Sequence, residues 1–264
     1  MQILKIGGEL LETEADVRLM VTHVGAAAVR EATVVVHGGG RELSAELARR
    51  GATPRMVDGV RVTDEDALAA AVSVLGGTIN TRLVAALGAG GVRAVGLTGV
   101  DGGLLRARRS PRVRARSGAV VDLGHVGSPT PSGDASLLRA LCADGWVPVV
   151  ASLGVTAEGD VLNVNADVAA AHLAIVLSAT RLVVLGGTDG VFDAAGNTIS
   201  VLSRSEAEAL IDSGAAKDGM AAKLEACTRA SACGVADVRI VNGRGAELEA
   251  GGTRILAGGM ARAS

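Results

Sequence analysis

Twice in its first fifty residues the chain ends a short apolar run in glycines and follows it with a helical pattern. Met1 to Ile6 runs into Gly7 and Gly8 ahead of the polar stretch Glu12 to Arg30. Thr33 to Val36 then runs through His37 into Gly38, Gly39 and Gly40, ahead of Arg41 to Arg50 with Gly51 as its C-cap. A strand, a glycine turn and a helix, used twice, predict an α/β fold with parallel strands, because a parallel neighbour is reached only through a long crossover connection. Ligands of such sheets sit at the carboxyl ends of the strands. Glycine at that place lets backbone amides approach an anion, which also feels the positive end of the following helix.

Later segments continue the pattern. An alanine-rich helix capped by Thr63 or Asp64 is expected to reach about Leu87, with an interruption at Gly76 and Gly77. Strands are expected over Val92 to Leu97, Val147 to Leu153, Arg181 to Leu185, Val238 to Val241 and Thr253 to Leu256. Helices are expected over Leu137 to Leu141 and from Asn165 or Asp167 to Ser178. Ser203 to Glu206 is a capping box, Lys217 to Gly219 reads as a turn, and Met220 opens a last helix. Leu104 to Val126 is the least periodic stretch and reads as a hairpin or mobile loop. A second half begins near Val161, so the division is 1–160 and 161–264, with one continuous sheet through both.

Aromatic residues are 1% of the chain against 48% hydrophobic. The core must therefore be Val, Leu, Ile and Ala, as in a sheet covered on both faces. A net charge of -2 gives no global basic footprint for nucleic acid, and the arginine-rich run Arg106 to Arg116 reads as a solvated or anion-facing loop. Cys142, Cys227 and Cys233 lack the spacing of a zinc site or a disulfide framework. No signal segment or membrane span is evident, and the expectation is a cytoplasmic protein. The four histidines show no metal-ligand spacing, and no Ser/His/Asp arrangement supports a hydrolase.

Lysine occurs only at Lys5, Lys217 and Lys223 among 26 basic residues. Arginine and lysine differ where a compact charge must approach an oxygen closely, so two of these lysines meeting over one anion is one reading, and chance survival on the surface is the other. Asp167 could cap its helix or fix a lysine pair. Arg61, in a short link after Gly59, suits a bidentate clamp on a carboxylate. The glycine turns match neither a Walker A loop nor a dinucleotide fingerprint.

KIGG at 5–8, HGGG at 37–40, GVRVTD at 59–64, DLGHVG at 122–127, VPVVASLGV at 147–155, LNVNADVAAA at 162–171 and DGMAAK at 218–223 together resemble, in order and from end to end, the acetylglutamate kinases of the amino acid kinase family, in their short bacterial form. The resemblance implies an open, mainly parallel αβα sandwich, a homodimer, an N-terminal half that binds the amino acid and a C-terminal half that binds ATP with Mg2+. It implies phosphorylation of the γ-carboxylate of N-acetyl-L-glutamate in arginine biosynthesis, with a sister kinase of another acyl amino acid or a silent amino-acid sensor as alternatives. Lys5 and Lys223 match the lysines around the transferring phosphoryl group and Asp167 the aspartate that orients them. Gly39, Gly40, Arg61 and Asn163 match substrate-binding positions. Gly7, Gly8, Gly187, Thr188, Asp189, Gly190, Val191, Phe192, Ala216, Lys217 and Asp218 fall at nucleotide-binding positions. Two departures stand out: Gly187 replaces the usual aspartate, with Asp189 two residues along, and Lys217 replaces a small hydroxyl residue.

Overall fold

The computed structural model describes every residue except Arg116, Ser117, Lys217, Ala246, Glu247, Glu249, Ala250 and 257–264, together with the backbone but not the side chain of Asp218. In chain order the strands are β1 (Gln2–Ile6), β2 (Thr33–His37), β3 (Met56–Val57), β4 (Val60–Arg61), β5 (Ala94–Thr98), β6 (Ala107–Arg109), β7 (Val113–Arg114), β8 (Val120–Val121), β9 (Val126–Pro129), β10 (Val147–Ala151), β11 (Leu153–Val155), β12 (Val161–Val164), β13 (Arg181–Gly186), β14 (Val201–Ser203), β15 (Asp237–Asn242) and β16 (Thr253–Leu256). The helices are α1 (Glu14–Arg30), α2 (Gly40–Arg49), α3 (Glu65–Ala71), α4 (Asn80–Ala89), α5 (Ser136–Ala143), α6 (Ala166–Val176), α7 (Arg204–Asp212) and α8 (Asp218–Ala232).

Among the described residues the main sheet has eight strands in the order β14-β16-β15-β13-β1-β2-β10-β5. Only the β15–β16 pair is antiparallel within it. The chain first builds outward from β1 through β2 and later returns to lay β13 on the other side of β1. That reversal of strand order opens a crevice at the carboxyl end of β1. A second, four-stranded sheet, β11-β12-β9-β6, which the sequence patterns do not announce, stands beside it.

Period-two alternation sends each strand's residues to two separate cores. Ile3, Val34, Val36 and Val184 face α6 and α8, whereas Leu4, Ile6, Val35 and Leu185 face the side of Met20, Val24, Leu75 and Leu83. Lys5 shares the parity of Ile3, so the one lysine of β1 is directed at the α6 and α8 layer.

Several expectations need correction. Gly76 and Gly77 do not interrupt the long helix: a π-helical segment, Val72–Ile79, joins α3 to α4 without a break. A Cβ at Gly76 would stand 3.2 Å from Thr98 Cγ2, so glycine there permits close helix-to-strand packing. The combined helix, Glu65–Ala89, has the length and apolar composition of a membrane span, yet its buried stripe of Ala67, Ala71, Leu75, Ile79, Leu83 and Leu87 packs into the core. Val147 to Leu153 is not one strand, because the chain leaves the main sheet at Ser152 and pairs Leu153 with Asn163 in the second. Leu104 to Val126 does hold a hairpin, the small β7–β8 pair, and in addition β6 and the start of β9, which join the second sheet. The last helix begins at Asp218 rather than Met220.

Candidate active site

Lys5 Nζ lies 2.9 Å from Asp167 Oδ1, with both side chains almost wholly buried. The contact is an ion pair without a well-aligned hydrogen bond at Oδ1. Local sequence explains where the acid stands. Asn165 caps α6, its Oδ1 accepting the N–H groups of Asp167 at 2.8 Å and Val168 at 3.1 Å, which sets Asp167 in the first turn, where the helix dipole favours an anion. A buried pair of this kind stabilises little by itself, but removing either partner leaves a costly lone charge.

Lys223 enters from α8. Among the described residues it has no ion pair within 4.0 Å, so Asp167 touches one lysine and not two. Its stem lies over the carboxyl end of β13, where a Cβ at Gly186 would be 3.6 Å from Lys223 Cε. One turn further along α8, Cys227 is fully buried; burial first, and then the negative charge of Asp167, push its thiol up, while Lys5 and Lys223 oppose that. That environment disfavours the thiolate, the form a nucleophilic cysteine needs.

The two glycine turns pack directly on each other. A Cβ at Gly8 would be 3.0 Å from Gly39 Cα and 3.2 Å from Gly40 N, so a side chain there would meet backbone that cannot rotate away. A Cβ at Gly39 would overlap Ile79 Cδ1. Behind them His37 is buried, with its Nδ1–H donating to Gly38 O at 3.0 Å and its Nε2 accepting from Asn80 Nδ2 at 3.1 Å. Burial pushes its imidazole down to about 4, which makes it a neutral structural pin.

Arg61 is placed by a β3–β4 hairpin whose central residues, Asp58 and Gly59, both have positive φ, at 47° and 81°. Asp-Gly is the pair suited to that turn. Its Nη2 donates to Gly40 O at 2.9 Å and Ser44 Oγ at 2.7 Å, while its Nη1 is buried with no partner among the described residues. A buried charged donor without an acceptor asks for an anion. Motifs far apart in sequence converge nearby: Thr63 N–H donates to Leu123 O and His125 N–H to Thr63 O, and Asn163 Nδ2 donates to Thr63 Oγ1 at 3.1 Å.

Lys5, Gly8, Gly39, Gly40, Arg61, Asn163 and Asp167 line one cleft of about 500 Å³, which Glu9, Ser128 and Ser152 also line. The volume suits a small metabolite. Gly7, Lys223, 187–192 and Ala216 do not line it. In that second group Asp189 Oδ1 accepts from Asn242 Nδ2 at 2.7 Å and Val191 N–H donates to Thr253 Oγ1 at 2.8 Å. Phe192 is 44% exposed and Ala216 buried. Lys217 and the side chain of Asp218 lie outside the described residues.

Sequence reasoning missed Glu9 and Arg244. Arg244 Nε donates to Asp16 Oδ1 at 2.8 Å and Nη2 to Asp16 Oδ2 at 3.1 Å, while Nη2 also reaches Glu9 O at 2.9 Å. The hydrogen bond from Arg244 is the main reason the Asp16 carboxyl is held below its ordinary range. Glu9 directly follows the KIGG turn, and that adjacency was the available signal.

An open α/β sheet with a lysine-bearing cleft at its strand-order reversal defines a protein built to hold a small anionic ligand. The amino acid kinase family model matches residues 1–242, and the chain belongs to that family. It is 41% identical to the acetylglutamate kinase of Methanoculleus marisnigri over 251 residues, which is 91% of this chain and 85% of that protein. It is likewise 41% identical to the acetylglutamate kinase of Methanopyrus kandleri over 256 residues, covering 96% of this chain and 99% of that one. Among solved structures, N-acetylglutamate synthase from Neisseria gonorrhoeae, complexed with coenzyme A and N-acetyl-glutamate, superposes with a TM-score of 0.82 at 28% identity, covering 98% of this chain and 60% of that longer one.

Proposed function

We propose that this chain is an acetylglutamate kinase, transferring the γ-phosphoryl group of ATP to the side-chain carboxylate of N-acetyl-L-glutamate in arginine biosynthesis. The observation that carries the reading is the single cleft that joins the buried Lys5–Asp167 pair, two packed glycine turns and the unpaired Nη1 of Arg61. Arg61 and Asn163 take the α-carboxylate end of the substrate, and the amides of Gly39 and Gly40 hold its reacting end. Lys5 and Lys223 neutralise charge on the transferring group, while Asp167 fixes Lys5. In-line phosphoryl transfer needs positioning and charge stabilisation more than covalent help. The attacking carboxylate is already ionised at neutral pH, so no general base is required and His37 has no proton to move.

Residues 1–160 form the amino-acid lobe and 161–264 the nucleotide lobe. Gly7, Gly8, 187–192 and 216–218 contact ATP, which brings Mg2+ on its phosphates as part of the substrate. The enzyme works in the cytoplasm as a homodimer. The edge position of β5 and the outward face of the Glu65–Ala89 helix, where Val72 is 42% exposed, support a second copy on that side, which light scattering would test. A coupled ADP-release assay over a panel of acyl amino acids tests the activity. The reading requires acetylglutamate to be the preferred acceptor, and activity only with a carrier-linked or other acyl amino acid would overturn it.

A further inference from the structure

The carboxylate of Glu9 lies between the glycine turn after β1, at Gly7, and the glycine turn after β13, at Gly186 and Gly187. Its Oε1 accepts the backbone N–H of Gly187 at 3.2 Å. At Gly7, the turn residue of β1, a Cβ would stand 2.5 Å from Glu9 Oε2 and 2.6 Å from its Cδ. At Gly186 a Cβ would lie 3.6 Å from Glu9 Oε1 and also 3.6 Å from Lys223 Cε. The acid thus sits over both turns, beside the stem of the lysine that α8 supplies. It also borders the cleft that contains Lys5.

Backbone and side chain of this residue are held very differently. The carbonyl of Glu9 accepts from Arg244 Nη2 at 2.9 Å, and the same guanidinium is clamped on Asp16 by two bonds. The side chain of Glu9 makes one hydrogen bond among the described residues, to the amide of Gly187, feels the charge of Arg244 without a hydrogen bond to it, and is half-buried. A fixed backbone with an exchangeable carboxylate can release its seat to another anion without disturbing the turn. Backbone amides in glycine turns bind carboxylate and phosphate oxygens by the same geometry.

We infer that Glu9 is an internal stand-in for nucleotide phosphate, occupying the amide seat at Gly187 and setting the affinity of the site for the phosphate end of the donor. The inference rests on the nucleotide reading above. A polyphosphate entering the seat either displaces the carboxylate or lies beside it, and like charges a few ångströms apart disfavour the second arrangement.

The test is calorimetric titration of ADP without divalent cation, and of adenosine, into the wild type, Glu9→Gln and Glu9→Ala. Glu9→Gln keeps an acceptor for Gly187 and removes the charge, whereas Glu9→Ala empties the seat. ADP is expected to bind about tenfold tighter to both variants because the charge conflict is relieved, with adenosine unchanged. Equal ADP affinity in all three proteins would remove the role of Glu9 and leave the nucleotide site standing. Weaker ADP binding in Glu9→Gln, or an equal gain for adenosine, would overturn it too. Failure of all three proteins to bind ADP would remove the inference and the nucleotide reading together.

Discussion

Acidification should unfold this protein through a residue that takes no part in chemistry. His37 is buried at the end of β2, neutral, with one ring nitrogen donating to Gly38 and the other accepting from Asn80. In the unfolded chain an imidazole binds a proton below about 6.5, whereas burial holds this one down to about 4. Between those values the unfolded state carries more protons than the native state, so stability is full above pH 6.5 and falls as the pH drops toward 4. At about 1.4 kcal/mol per pH unit across that window the loss approaches about 3 kcal/mol, a large part of the ~5–15 kcal/mol that holds a typical domain together. His23 and His172 are also held low by burial and push in the same direction, so the comparison must be with His37→Gln. Urea unfolding at half-unit pH steps should show the stability advantage of the wild type over His37→Gln shrinking by about 3 kcal/mol from pH 7 to pH 4. A difference that stays level with pH, or an NMR titration of His37 near 6.5 in the folded protein, would refute the reasoning.

Lys5→Ala and Lys223→Ala should each lower kcat by about 10²- to 10³-fold in steady-state assays while KM for acetylglutamate changes little, as for donors that act mainly on developing charge; an unchanged kcat removes that residue from the chemistry. Arg61→Ala should raise KM for acetylglutamate by about 10- to 100-fold, the cost of losing a charged hydrogen-bond donor, and a KM that stays put would place the substrate elsewhere. Gly8→Ala puts a methyl 3.0 Å from Gly39 Cα, so thermal unfolding should show a loss of about 1–3 kcal/mol from overpacking, with a fall in activity. Arg244 holds the Asp16 carboxyl below its ordinary range, so the pair's contribution is complete above about pH 4 and disappears as pH falls through the lowered value. The stability gap between the wild type and Asp16→Asn should therefore be flat from pH 7 to 5 and close only in stronger acid.

Much of the layout was legible because it rests on local rules. A short apolar run followed by glycine, at β1 and at β2, specifies a wholly buried strand and a turn within a few residues of chain. The capping box at Ser203, the Asn165 cap of α6 and the left-handed Gly51 after α2 also depend only on neighbours. The identity of Lys5 was conspicuous because so few lysines occur. Its direction toward α6 and α8 follows from strand parity once Ile3 is known to face that layer.

Tertiary structure decided what those residues meet. No local signal separates Val147 to Ala151 from Leu153 to Val155, since both are short apolar runs; only the competing partners β5 and β12 send them to different sheets. Gly76 and Gly77 looked like a break because glycine disfavours helices, yet close packing against β5 and a π-helical segment carry the helix through. Asp167 was expected between two lysines, but the crossing of β1 under α6 gives it Lys5 alone. Glu9 and Arg244 stand more than two hundred residues apart in sequence, and the return of the chain to lay β13 beside β1, with β15 beyond it, is what turns an unremarked glutamate into an anion seated on the amide of Gly187. Backbone turns and strand faces are set by interactions over a few residues and can be read from them. A site at a reversal of strand order is assembled from both halves of the chain, and its contacts exist only after the sheet has closed around β1.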